Sequence, residues 1–184
     1  MAACVFEPDV YASQLLPAVG ALKIRHLGSD SPVLHESEIR KRLGIFNFKG
    51  DVQARADFIE GLSRVVQDCV PRVVAAVVRH SDSERDVDLA ALEALWSGFQ
   101  HHRADPSHWI FERRGKREDA AVTRAFDSLM LSGATHEFVS KGRGLAGLEM
   151  ADMLARPIGL SVLRPTQPNR ALEGLRERMT IVVV

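Results

Sequence analysis

The chain has 184 residues, 46% of them hydrophobic and 26% charged, with 24 basic residues balancing 24 acidic ones. That length fits one domain, 1–184, with a sizeable core. Zero net charge argues against coating nucleic acid through bulk charge, although a local basic patch can still contact phosphates. Cys4 and Cys69 stand far apart and form no CxxC pair. A disulfide framework or thiolate zinc site is therefore not expected, and a reducing cytoplasm is the default compartment. No apolar run approaches the roughly 20 residues that span a bilayer, and residues 1–20 lack the basic and apolar regions of a signal peptide.

The chain opens with a strand-like run, Ala2 to Phe6, with no turn or cap before it. Tyr11, Leu15, Val19 and Leu22 give helical spacing over 9–26, and Gly28 to Pro32 is a turn cluster. His35-Glu36 follows in an irregular segment, then the charged run Glu38 to Arg42. Ala56, Ile59, Leu62 and Val66 predict a helix over 52–69. The run Val73 to Val78, β-branched and without alternation, predicts a strand covered on both faces. Leu89, Leu92, Trp96 and Phe99 predict a helix over 87–102. His108 to Glu112 reads as a strand ending in a turn at Gly115, and 118–131 as a helix turning Val122, Ala125, Phe126 and Leu129 inward. His136 to Ser140 is a short strand, and 144–156 a last helix. For the apolar tail, Thr180 to Val184, an edge strand and a peculiarity of the reading frame stay open. Strands and helices alternate, so the class is α/β.

Two carboxylates stand out from this pattern. In the last helix, Glu149, Asp152 and Arg156 form one narrow polar arc on an otherwise apolar surface, which predicts burial of most of that helix. Asp152 then either pairs with Arg156 at i,i+4, worth a few tenths of a kcal/mol, or is used for chemistry. Glu112 closes the strand of Trp109, Ile110 and Phe111, and strand ends in α/β folds are where ligand groups collect. Arg113, Arg114, Lys116 and Arg117 come directly after it. They form a solvated turn, or they contact phosphate oxygens beside a carboxylate-bound cation. Asp119 stands near the start of the next helix, where the dipole favours an acid. No HExxH, GxSxG, Walker A or dinucleotide fingerprint occurs.

Four stretches, in order, carry a resemblance to a known family: "LHESEIRKR" (34–42), "VVAAVVRH" (73–80), "FERRGKRED" (111–119) and "KGRGLAGLEMADMLARPIG" (141–159) running on into "RPTQPNRALEGL" (164–175). The chain resembles the family named domain of unknown function 3800, a group placed among ribonuclease-H-like folds, from residue 1 to about 178. Members usually begin with a strand ending in Asp-Glu-Ser-Gly, whose aspartate is the family's first metal ligand. This sequence lacks that motif and starts inside what corresponds to the second strand. Either the chain is truncated at its N-terminus or another chain supplies the first strand.

The resemblance implies a ribonuclease-H-like α/β domain with a mixed central sheet flanked by helices, incomplete at the N-terminus. It implies Glu36, Glu112, Asp119 and Asp152 as the surviving catalytic acids, with Glu36, Glu112 and Asp152 as ligands to Mg²⁺ or Mn²⁺. Clustered carboxylates serve that chemistry because two divalent ions about 4 Å apart activate water and stabilise the leaving oxygen of a phosphodiester. Arg113, Arg114, Lys116 and Lys141 would contact phosphates of a nucleic acid. The alternative is a catalytically inactive interaction domain, whose exposed sheet edge pairs with another chain or a second copy.

Overall fold

The computed structural model describes residues 1–78, 87–101, 108–129 and 133–184, the side chains of His101, Lys141 and Arg170 excepted. The first sheet has the strand order β1 (Ala2–Val5), β2 (Arg72–Val77), β5 (Met179–Val183). β1 runs antiparallel to β2, with Ala2 opposite Ala75. β5 runs parallel to β2, with Val73 opposite Met179 and Val77 opposite Val183. The apolar tail is thus an edge strand beside the predicted central strand. A second sheet of two parallel strands, β3 (His108–Glu112) and β4 (Thr135–Val139), stands apart from the first. The class is α/β, with two small sheets among the described residues where the sequence predicts one.

Side-chain alternation along β2 explains why the first sheet needs helices on both faces. Val73 and Ala75 join one core cluster, and Val74 and Ala76 the other. The first cluster takes Leu15, Phe58, Met150 and Leu154 from one layer of helices. These belong to the segment α1 (Pro8–Val10), a π-helical turn (Tyr11–Leu15) and α2 (Leu16–Leu27), to α4 (Val52–Cys69) and to α7 (Ala146–Leu163). The second takes Leu92 and Phe99 of α5 (Val87–His101) and Phe126 of α6 (Lys116–Ser128), with Trp109 of β3. Edge-to-face packing of Trp109 on Phe99 (5.0 Å) and Phe126 (5.7 Å) joins β3 to this layer.

Three boundaries differ from the sequence pattern. Glu36 is not in an irregular segment but opens α3 (Glu36–Lys41), whose acids lie in the first turn and bases in the last, as the helix dipole favours. Between α3 and α4 the chain makes a 3₁₀ turn, Gly44–Gly50, which carries Phe46 into the core. The last helix does not stop before Pro157 but continues through it to Leu163. The Asn169 side chain donates to the Pro157 carbonyl at 2.8 Å, fastening the loop after α7 back onto the helix. At the other end of the chain, the Arg178 guanidinium donates to the carbonyls of Val70 (3.0 Å) and Gln67 (2.5 Å), satisfying the end of α4 just before β5 begins.

Two helical glycines test this packing. A Cβ on Gly98 would stand 2.5 Å from Val74 Cγ1, whereas one on Gly20 would meet nothing within 4 Å. Gly98→Ala is expected to lower stability by about 1–3 kcal/mol through overpacking, and Gly20→Ala to raise it by about 0.4–1 kcal/mol. Urea denaturation of the two variants measures both signs.

Candidate functional site

The fold brings the C-terminal end of β3, the turn into α7 and the segment entering α3 to one place. Val33, Leu34, His35, Glu112, Ser140, Gly144, Leu145, Leu148, Glu149 and Asp152 line a cavity of about 10 Å³ there, room for about one water-sized occupant. Glu112 and Asp152, remote in sequence, therefore share a cavity. Gly144, at φ +58°, makes the turn that starts α7, as its place before that helix suggests.

The polar arc of α7 divides differently from what its spacing predicts. Asp152 is not the deeply buried acid; its side chain is 43% exposed. Glu149 is the buried one, its side chain 2% exposed and its Oε1 2.7 Å from the ammonium of Lys23, itself 5% exposed. The same Oε1 accepts the Leu34 backbone N–H at 3.1 Å. Glu149 Oε2 is buried with no hydrogen-bond partner. The identity of this residue was missed because a glutamate on the polar arc of a helix reads as solvated. The one available signal was Lys23, a cation at the same helical spacing as the buried Val19.

Asp152 does not pair with Arg156. Its Oδ2 accepts the backbone N–H of Glu36 at 2.9 Å and lies 3.7 Å from His35 Nδ1. That distance is within ion-pair range but beyond a hydrogen bond, and His35 Nδ1 is buried without a hydrogen-bond partner. Asp152 thus serves as a cap for α3 supplied from another helix, since Glu36 N–H is one of the donors a helix start leaves open. The Glu36 carboxylate turns away from the cavity toward cations, with Arg40 Nε at 2.8 Å and Arg156 Nε at 3.5 Å.

Asp119 is also committed locally. Its Oδ1 accepts the N–H groups of Arg114 (2.9 Å) and Gly115 (3.4 Å), and its Oδ2 lies 3.6 Å from Arg113 Nε. The capping explanation that its position suggests accounts for it. Arg113, Arg114 and Lys116 are exposed after Glu112, with Arg113 also donating to the Phe138 carbonyl at 3.2 Å. Lys141 opens the 3₁₀ turn Lys141–Arg143, and its side chain lies outside the described residues.

Thiol chemistry is a poor alternative at this fold, because burial pushes the Cys4 thiol up to about 12 and raises that of Cys69, leaving little thiolate at neutral pH. For a hard cation the donor types fit: carboxylates suit Mg²⁺ or Mn²⁺, and an orphaned buried carboxylate oxygen is a coordination position without an occupant. Among the described residues no group of three or more His, Cys, Asp or Glu is drawn together at ligand distances. The donors line a common cavity without closing on a shared point.

The local role of Asp119 is measurable by itself. Asp119→Ala is expected to lower stability by about 0.5–2 kcal/mol, the usual cost of losing a helix cap, as read by thermal unfolding.

Among the described residues no helix is long and apolar enough to cross a membrane. No family model, curated protein or solved structure matches the chain.

Proposed function

We propose that this chain is a divalent-metal-dependent hydrolase of phosphodiesters, of ribonuclease-H-like type, acting on nucleic acid. The observation that carries this reading is the shared cavity of Glu112 and Asp152, beside an exposed run of basic side chains. A carboxylate at a strand end and one on the facing helix are suited to holding Mg²⁺ or Mn²⁺ together. When bound, the cation supplies Lewis-acid stabilisation of the developing oxyanion and lowers the pKa of a water.

The protein's own part is placement. Glu36 N–H fixes the Asp152 carboxylate at 2.9 Å. Glu36 itself is held by Arg40 and Arg156, so its part is positioning rather than ligation. Asp119 shapes the Arg113–Gly115 turn, which presents Arg113, Arg114 and Lys116 to phosphate oxygens, with Lys141 on the neighbouring turn. Guanidinium groups suit phosphate because they offer several donors in a fixed plane.

Millimolar Mn²⁺ is expected to raise the melting temperature of the parent and not that of Asp152→Asn or Glu112→Gln. At 100 times its dissociation constant a ligand specific for the folded state adds about 2.7 kcal/mol, roughly 5–10 °C for a chain of this size. Hydrolysis of single-stranded, duplex and hybrid substrates should fall with the same two substitutions. Retained activity in both variants would sink the assignment.

One observation favours a second reading, an inactive domain that binds another chain. Among the described strands β1 pairs only with β2, so its outer edge carries unpaired backbone groups. On that reading sedimentation should show a dimer or larger species that dissociates on dilution, and a monomer at all concentrations would oppose it.

A further inference from the structure

The buried half of the site is not explained by the ligands proposed above. Glu149 and Lys23 are almost fully enclosed, and enclosing a charge pair is costly unless every donor and acceptor is used. Here the pair is unevenly used. Lys23 and the Leu34 N–H both converge on Oε1, while Oε2 has no hydrogen-bond partner. Glu149 lines the same cavity as Glu112 and Asp152, and His35, also lining it, carries a second buried atom without a hydrogen bond. An enclosed carboxylate oxygen without a donor, beside a cavity with room for one small occupant, calls for an occupant that is cationic or donates hydrogen bonds.

We propose that Glu149 Oε2 is the inner ligand of the cation that Glu112 and Asp152 hold, with Lys23 as a fixed counter-charge that limits how tightly that cation binds. The inference rests on the metal-dependent reading and adds a residue that neither the acidic motifs nor the resemblance assigns. Its chemistry is simple. Three carboxylates line the cavity and one ammonium offsets one of them, so a divalent cation would neutralise what remains. Lys23 repels that cation, because both approach the same carboxylate. The bond from Oε1 to the Leu34 N–H also couples this buried ligand to the segment carrying His35 and the start of α3.

Mn²⁺ binding to the full chain, followed by isothermal titration calorimetry and by melting temperature against Mn²⁺ concentration, tests this without any activity readout. Lys23→Met is expected to bind Mn²⁺ at least several-fold more tightly than the parent, with a steeper rise in melting temperature. The double variant Lys23→Met/Glu149→Gln removes both charges, which spares the fold an uncompensated buried ion. It is expected to lose tenfold or more in Mn²⁺ affinity, since disturbing even the outer partners of metal ligands costs about 10–100-fold. If the parent binds Mn²⁺ through Asp152 while both Lys23 variants keep parental affinity, the cavity oxygen is served by water. The inference then fails and the metal-dependent reading stands. If the parent binds no Mn²⁺ at all, both fail together.

Discussion

The ion pair between Lys23 and Glu149 is the contact on which the candidate site depends. It joins α2 to α7 across most of the length of the chain, at 2.7 Å and almost without solvent. In that setting the attraction is strong, but so is the cost of desolvating both charges, and such a pair fixes arrangement more than it adds stability. What it fixes here is specific. Lys23 sets the rotamer of Glu149, and Glu149 accepts the Leu34 N–H. Leu34 in turn places His35 and Glu36, whose backbone N–H holds Asp152 one turn further along the same helix. One buried carboxylate therefore sets the position of the segment facing the exposed one.

Around that pair the molecule is arranged so that each face of the first sheet has its own helical layer. The alternation of Val73 and Ala75 against Val74 and Ala76 sends neighbouring residues into different cores. α7 lies in the same layer as α2 and α4, so a polar residue on its inward side meets Lys23 of α2 rather than water. β3 belongs to the opposite layer through Trp109, and its last residue, Glu112, reaches the cavity from the other direction. The cavity is therefore where the two layers meet at the ends of their elements, a place where helix starts and strand ends leave polar groups to be satisfied.

The loops after α7 extend the same logic to the C-terminal part of the chain. Pro157 removes a backbone donor from the interior of α7, which ordinarily ends or kinks a helix, yet the helix runs on to Leu163. The loop that follows returns to it through Asn169. The next turn carries Leu172 and Leu175 into the core and delivers Arg178 to the end of α4. These contacts set β5 parallel to β2, since they bring the chain back to the end of the sheet where β2 starts.

Much of this was legible in the sequence, and the limit has a physical cause. Periodicity marked the buried central strand, the amphipathic helices and the inward set Val122, Ala125 and Phe126 on α6, because burial of one face is a local pattern. It also marked Asp119 as a helix-start residue, because capping acts within one turn. The local pattern named Glu112 and Asp152 as carboxylates without an evident purpose, and the fold placed them on one cavity. It did not identify Glu149, and it paired Asp152 with Arg156, one turn away on the same helix. Spacing along a helix says which residues share an arc, whereas burial along that arc depends on what packs against it. Lys23 and Leu34 come from distant segments, and only their arrival in three dimensions makes Glu149 an enclosed ion and leaves Asp152 half exposed.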